Sequence, residues 1–84
     1  MRLRDMREDH DLTQQTVADT IFIRQSTYSQ YETGRRSIPV EVVIRLAEFY
    51  NTSVDYLLEL TDDPRPYPPQ EEKKGITLSI SATE

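Results

Sequence analysis

The chain has 84 residues, a length that suits one small domain with at most a short tail. It carries 10 Lys and Arg against 15 Asp and Glu, and the resulting net charge of -5 argues against a protein that coats nucleic acid through its overall charge. Cysteine is absent, which excludes disulfides and Cys-based zinc sites, and no apolar run is long enough to cross a membrane. We therefore expect a cytoplasmic protein with no membrane partner.

Two regions of different composition meet near residue 62. Apolar residues recur at helical spacing over residues 1–61, whereas residues 62–84 hold four of the five prolines. The pattern predicts an all-α domain over 1–61, followed by a Pro-rich and polar tail over 62–84. Apolar and polar residues alternate over 76–81, which is typical of a short strand.

The first three of five predicted helices follow from apolar spacing and terminal signals. The first helix covers about 2–10, and the second begins after Thr13, whose hydroxyl suits an N-cap. The third covers about 25–33 and ends at Gly34, since glycine readily adopts the left-handed conformation that follows many helices. Two tyrosines of this helix, Tyr28 and Tyr31, lie at core spacing.

The last two predicted helices complete the domain. The fourth begins with Pro39 in its first turn and runs to about Tyr50, because proline is tolerated where no helical N–H is needed. The fifth follows a cap at Ser53. Short connections between these helices indicate that neighbours in sequence pack together.

The outward face of the third helix is polar but uncharged, with Gln25, Ser26, Ser29 and Gln30. A face that is merely solvated usually carries Glu and Lys, which favour helices and solubility. A glutamine amide offers a donor and an acceptor that match the major-groove edge of adenine, and serine suits either base pair. We therefore predict that these side chains read DNA bases.

Groups suited to phosphates surround this face. Arg24 precedes the helix, Arg35 and Arg36 follow it, and Thr13 and Gln14 start the second helix, where free N–H groups favour an anion. The alternative interpretation of the arginines is ordinary surface charge.

Several short motifs occur together with this face. They are Leu12-Thr13-Gln14, Val17-Ala18, Tyr31-Glu32-Thr33-Gly34-Arg35-Arg36, Leu46-Ala47 and Ser53-Val54-Asp55-Tyr56-Leu57-Leu58. Their order and spacing resemble the phage-repressor type helix-turn-helix proteins, the Cro/CI-like and Xre-like regulators. The resemblance implies a compact five-helix, lambda-repressor-like DNA-binding domain with helices 2 and 3 as the helix-turn-helix.

The resemblance also implies roles for single residues. Gln14 would contact a phosphate, Gln25, Ser26 and Gln30 would contact base edges, and Arg35 and Arg36 would lie along the DNA backbone. An ion pair between Arg7 and Glu32 would join helix 1 to helix 3.

Two residues depart from the family pattern. Phe22 stands in the turn between helices 2 and 3, where the family usually has glycine, so either the turn differs locally or Phe22 accepts strain in return for packing. Arg24 stands where Ser or Thr usually caps helix 3, and a guanidinium cannot accept a hydrogen bond from a backbone N–H.

The composition gives little support to catalysis. One histidine and no cysteine leave no nucleophile with an adjacent base, and two glycines do not make a phosphate-binding loop. We predict no enzyme, no cofactor and no metal, with His10 in a surface role and the acidic pairs Asp62-Asp63 and Glu71-Glu72 as solvated charge.

The sequence thus predicts a sequence-specific, double-stranded DNA-binding transcriptional regulator. It is expected to be a bacterial or phage repressor that binds a palindromic operator as a homodimer, because one helix in one groove reads few base pairs. Dimer contacts would come from Tyr56 and Leu60, or from the 76–80 segment. The alternative function is an antitoxin-like or adaptor module whose 62–84 tail binds a partner protein.

Overall fold

The computed structural model describes residues 1–67, which contain five short helices. Their bounds are α1 Leu3–Asp9, α2 Gln14–Thr20, α3 Gln25–Thr33, α4 Val40–Phe49 and α5 Val54–Leu57. The predicted all-α, five-helix architecture is confirmed, and no strand occurs within residues 1–67. Pro39 precedes α4 in an extended conformation and does not belong to its first turn. The strand predicted at 76–81 lies outside the described residues.

The helix starts follow from side chains in the sequence. The Thr13 hydroxyl accepts a hydrogen bond from the N–H of Thr16 at 3.1 Å, and the Ser53 hydroxyl accepts one from the N–H of Tyr56 at 3.0 Å. Both predicted caps are confirmed. Arg24 precedes α3 in an extended conformation and makes no side-chain cap, as its chemistry requires.

All five helices end in the same way. The chain turns left-handed just beyond each helix, and two backbone N–H groups then bond back to the last turn, which is the Schellman arrangement. After α2, for example, Phe22 N–H donates to the Asp19 carbonyl at 3.3 Å and Ile23 N–H donates to the Ala18 carbonyl at 3.0 Å. The residues with positive φ are Asp11, Phe22, Gly34, Asn51 and Glu59. The predicted role of Gly34 is therefore confirmed, but four other residues adopt this conformation with a Cβ atom.

The core draws on every helix. Its buried apolar side chains are Leu3, Met6, Val17, Ala18, Ile21, Tyr28, Val42, Val43, Leu46, Ala47, Tyr50 and Leu57. Tyr28 is fully buried and Tyr31 packs against the core from one side, as their spacing predicts. Each Å² of apolar surface that is removed from water stabilises the fold by about 25 cal/mol. These side chains therefore hold α3 against α2 and position its outer face.

The first residues after α5 lie against the helical body. Arg2 donates to the carbonyl of Thr61 at 3.1 Å, and the Thr52 hydroxyl donates to the carbonyl of Pro64 at 2.6 Å. The segment 61–67 is therefore hydrogen-bonded both to Arg2 near the N-terminus and to Thr52 in the turn before α5.

Phe22 has a strained backbone and an exposed ring. Its φ is 63°, in the left-handed region, and 87% of the residue is accessible to solvent. The turn thus keeps the conformation that glycine would adopt, whereas the expectation that packing of Phe22 compensates for the strain is wrong. A bulky residue in this region costs about 1–2 kcal/mol.

Replacing Phe22 should therefore test the strain directly. We expect Phe22→Gly to raise the free energy of unfolding by about 1 kcal/mol, since glycine removes the Cβ clash but adds entropy to the unfolded chain. Phe22→Ala keeps the Cβ atom and loses little packing, so it should stay within about 0.5 kcal/mol of the parent protein. Urea unfolding followed by circular dichroism measures both, and equal stabilisation by the two changes would contradict a backbone origin.

Candidate nucleic-acid interface

The four predicted base-reading residues lie together on α3. Gln25 is the first residue of the helix, Ser26 is exposed, and Ser29 and Gln30 are partly exposed. The N-terminal half of α3 therefore presents amide and hydroxyl groups outward, while Tyr28 on the opposite side is buried in the core.

A chain of hydrogen bonds connects this surface to the interior. The Gln25 amide Nε2 donates to Gln14 Oε1 at 2.6 Å, and Gln14 Nε2 donates to Glu32 Oε1 at 3.2 Å. Gln14 is thus held between the first and last turns of α3. The sequence analysis did not predict these two hydrogen bonds. Gln14 is 11 positions from Gln25 and 18 positions from Glu32, and no local pattern indicates which amide will bond to a given carboxylate.

Arg7 and Glu32 form the ion pair that the family resemblance implies. Arg7 Nε donates to Glu32 Oε2 at 2.7 Å and a terminal nitrogen donates to Glu32 Oε1 at 3.2 Å, while the second terminal nitrogen donates to the Leu12 carbonyl at 2.9 Å. The side chains are 14% and 3% exposed, respectively. The pair therefore fixes α1, the loop before α2 and the end of α3 relative to one another.

The surroundings favour the charged form of Glu32. Burial alone would raise the pKa of this carboxyl, but the hydrogen bonds that it accepts, chiefly from Arg7, outweigh burial and lower the pKa below its ordinary value. Burial, reinforced by the nearby Glu32 carboxylate, raises the pKa of Tyr28 and raises that of Tyr50 to about 12. Both phenols therefore remain neutral beside a single buried carboxylate.

The arginines divide into two groups. Within residues 1–67, four arginines form ion pairs with acidic side chains: Arg2 with Asp62, Arg4 with Glu8, Arg7 with Glu32 and Arg65 with Asp63. Of the remaining four, Arg45 donates to the Ile21 carbonyl at 3.1 Å.

The other three unpaired arginines are those around α3. Arg24, Arg35 and Arg36 are exposed, and in the described part of the chain no carboxylate lies within salt-bridge distance of them. Thr13 is also exposed, at the start of α2. Three exposed cations therefore lie just before and just after α3 without an acidic partner among residues 1–67.

The two residues considered for dimer contacts differ in their surroundings. Tyr56 is half-buried and packs against the core, and the Arg2 guanidinium lies over its ring at 4.3 Å from the ring centre. Leu60 is 72% exposed. Tyr56 thus has an intramolecular role that its sequence position did not reveal, whereas Leu60 leaves an apolar side chain in solvent.

The residues considered for metal binding have other contacts. The His10 ring is 2.8 Å from the Met6 carbonyl and lies 5.0 Å from the Tyr50 ring, and Asp62 and Asp63 each pair with an arginine. In residues 1–67 no group of His, Asp and Glu is arranged to hold a metal ion. None of the helices in this range has the length and apolarity needed to cross a bilayer. Glu71-Glu72 lies outside the described residues.

Comparison with known proteins identifies the family. Residues 3–57 match the family model described as helix-turn-helix. The chain belongs to this helix-turn-helix family. This match spans all five helices, and it confirms the resemblance to the phage-repressor type of helix-turn-helix protein. Family membership also supports the prediction that the domain is not an enzyme.

Curated relatives share the helix-turn-helix region. The chain is 45% identical over 65 residues, 77% of its length and 58% of the relative's, to an uncharacterized HTH-type transcriptional regulator, YobD, of Bacillus subtilis. It is 39% identical over 57 residues, 68% of its length and 51% of the relative's, to the cryptic phage CTXphi transcriptional repressor RstR of Vibrio cholerae. The chain therefore spans about half the length of the curated relatives it matches. No solved structure matches.

The buried ion pair should dominate the effect of substitutions at this site. We expect Arg7→Ala or Glu32→Ala to lower the free energy of unfolding by about 3–5 kcal/mol, because each leaves one buried charge without its partner. The double change Arg7→Met, Glu32→Met replaces both charges by apolar groups and should cost much less than either single change. Urea unfolding measures this for the three variants and for the single changes Arg7→Met and Glu32→Met, which complete a double-mutant cycle with the double Met variant; additive losses in that cycle would contradict a direct coupling.

Acid should weaken the fold through Glu32. Because the folded state lowers the pKa of this carboxyl below its ordinary value of 4.5, its contribution is fully present above pH 4.5 and is lost as the pH falls through the lowered pKa. We therefore expect stability to decline below about pH 4.5, as measured by thermal unfolding between pH 7 and pH 2.

The control for this pH profile is the Arg7→Met, Glu32→Met variant. The carboxyls of Glu59 and Asp63, which are more exposed than that of Glu32, also have lowered pKa values, and the variant retains both. Its stability should therefore decline less steeply with acid, and identical profiles for the two proteins would assign the acid sensitivity to other groups.

Proposed function

We propose that this protein is a sequence-specific, double-stranded DNA-binding transcriptional regulator that places α3 in the major groove. The observation that carries the proposal is the outer face of α3, where amides and hydroxyls stand between exposed arginines that have no ion-pair partner among residues 1–67. Family membership and the printed names of the relatives support the same function. Such a protein would act in the bacterial cytoplasm or nucleoid.

In this proposal, the α3 side chains divide according to their distance from the helix start. Gln25 and Ser26 stand at the end that enters the groove first, and Ser29 and Gln30 follow one turn later on the same side. These four residues would contact base edges, because their groups both donate and accept hydrogen bonds.

The phosphate contacts would come from both sides of the groove. Arg24, Arg35 and Arg36 would neutralise phosphates near α3, and Thr13 and Gln14 would meet the backbone at the start of α2, where N–H groups are unsatisfied within the helix. These contacts would fix the register of α3 without reading sequence.

We further propose that the protein acts as a repressor and binds a palindromic operator as a homodimer. The repressor assignment is supported by the name of the relative RstR, and the dimer by the small number of base pairs that one α3 reaches. Leu60 is the better supported dimer contact, since it is 72% exposed, whereas Tyr56 already packs inside the subunit.

The division of the chain remains part of this proposal. Residues 1–61 would form the DNA-binding domain. The 62–84 tail would be available to bind a partner protein, and such binding is the alternative, antitoxin-like or adaptor function. The match over residues 3–57 supports the first boundary. The two functions are compatible, because α3 and the residues after α5 involve different side chains.

Selection from a random double-stranded DNA pool tests the proposal. We expect the full 84-residue chain to enrich a two-fold symmetric site, and the double change Gln25→Ala, Gln30→Ala to abolish the enrichment while unfolding as the parent does. Gln15→Ala on α2 is the matched control, because Gln15 is exposed and its amide bonds to Asp19.

Salt dependence separates phosphate contacts from base contacts. Arg35→Ala should weaken binding of all sequences about equally and reduce the slope of affinity against salt concentration by roughly one unit. Absence of any enriched site with the parent chain, or unchanged selection by the double variant, would refute base reading by α3 and favour the protein-interaction function.

A further inference from the structure

A groove of about 530 Å³ lies between α4, the start of α5 and the segment that follows α5. The apolar side chains that line this α4 groove are Ile44, Ala47, Val54, Pro66 and Tyr67. We propose that residues 76–80 of the same chain dock in the α4 groove and cover the exposed apolar side of α4. The inference goes beyond DNA binding and does not depend on it, because the groove residues belong to α4, α5 and their connections and not to α3.

The surface of α4 beside the groove has apolar side chains in solvent. Val40 and Ile44 are both exposed, and because they are four residues apart they form one row along the helix. Contiguous apolar surface on a soluble domain commonly marks a place where another segment or molecule binds. The question is therefore which segment covers this row.

The residues after α5 bring the chain to the groove. The Pro64 carbonyl accepts a hydrogen bond from the Thr52 hydroxyl at 2.6 Å, and the Tyr67 hydroxyl donates to the Asp55 carboxylate. Thr52 precedes α5 and Asp55 lies in its first turn, so both bonds hold the segment against the wall that Tyr67 lines. The following residues therefore start from the groove itself.

The length of the following chain allows the docking. Eight residues, 68–75, separate Tyr67 from Ile76, and a chain of that length can extend over about 26 Å. The ten residues of α4 span about 15 Å, so the whole helix is within reach. A linker this short gives an effective concentration on the order of millimolar, so a contact too weak to join separate molecules can still form within one chain.

The pattern of the segment matches the row on α4. Ile76, Leu78 and Ile80 alternate with polar residues, and alternate side chains of an extended chain lie about 6.7 Å apart on one side. The helical rise from Val40 to Ile44 is about 6 Å. Two consecutive apolar side chains of the segment can therefore contact both residues of the row.

Charge favours the same occupant. Glu48 lines the groove and is exposed, and no cation among residues 1–67 lies within ion-pair distance of it. The two lysines of the chain, Lys73 and Lys74, come just before the apolar segment. Docking would bring a lysine to an acidic side chain that lacks a partner within the described range.

One register satisfies the apolar contacts and the charge pair together. Positions 74, 76 and 78 lie on one side of an extended segment, and positions 48, 44 and 40 follow one row of α4 at a similar spacing. The resulting pairs are Lys74 with Glu48, Ile76 with Ile44, and Leu78 with Val40. The segment would run antiparallel to α4 and enter at the C-terminal end of the helix, where Tyr67 lines the groove beside Asn51.

Docking has a consequence for the alternative function proposed above. A partner protein that binds residues 76–80 would compete with α4 for the same apolar side chains. Its binding would also uncover Val40 and Ile44, so it would change the surface of the helical domain together with that of the tail.

Paramagnetic labelling of the full 84-residue chain tests the docking. Because the chain has no cysteine, Ser79→Cys attaches a single nitroxide on the polar side of the segment. We expect the amide NMR signals of residues 40–48 to weaken at least about twofold relative to the reduced label, since a millimolar effective concentration populates the docked state. Signals from the outer face of α3 are the internal reference and should weaken less.

Two substitutions in the labelled chain form a matched pair. Leu78→Asp should restore the α4 signals, because an ionised carboxylate does not enter an apolar groove without a partner. Thr77→Asp adds the same charge at the adjacent position, on the opposite side of the segment, and should leave the α4 signals weakened. Ile44→Ser changes the groove in place of the tail and should also restore the signals, and thermal unfolding shows whether each variant is folded.

A mixed sample identifies which copy of the chain is bound. An isotope-labelled chain without the nitroxide is combined with an unlabelled chain that carries it, and we expect no weakening of the α4 signals. Weakening in this sample would mean that the tail of a second copy occupies the groove, which would overturn docking within one chain.

Other results would overturn the docking altogether. They are unweakened α4 signals in the labelled parent, weakening that is equal on α3 and α4, and equal effects of Leu78→Asp and Thr77→Asp. Each of these results leaves the proposed DNA-binding function unaffected, because that function is measured separately by selection of DNA sites.

Discussion

The structure depends most on the buried carboxylate of Glu32. Its two oxygens accept hydrogen bonds from Arg7 on α1 and Gln14 on α2, and the residue itself lies in the last full turn of α3. A charge that is 3% exposed tolerates only an arrangement that satisfies it, because unpaired buried charge costs several kcal/mol. One side chain therefore restricts how three helices can be placed around the core.

A buried ion pair of this kind specifies how the helices are placed more than it stabilises the fold. The free energy needed to remove two charges from water offsets much of the attraction between them. Well-packed apolar residues therefore often stabilise a domain as much as a buried ion pair does, or more. In a domain with short helices and one small core, a methionine at each position should therefore cost much less stability than the loss of one partner alone. Apolar residues cannot replace the hydrogen bonds, because they do not orient the Gln14 amide that links Glu32 to Gln25 at the start of α3.

The sequence predicted what local chemistry determines. The caps at Thr13 and Ser53, the glycine after α3 and the burial of Tyr28 follow from neighbours within a few residues, and the structure has them all. Contacts between distant positions were not predictable in this way. Arg2 covers the Tyr56 ring from 54 positions away, and no periodicity specifies that the Phe22 ring stays in solvent.

The ion pairs also determine where positive charge remains. The body carries a net negative charge, but four arginines are paired internally and the unpaired ones around α3 face solvent. Because salt screens exposed charges beyond about 8 Å at physiological ionic strength, a phosphate near Arg35 experiences the local cations more than the distant carboxylates. Net acidity of the chain and DNA binding through a local group of cations are therefore compatible.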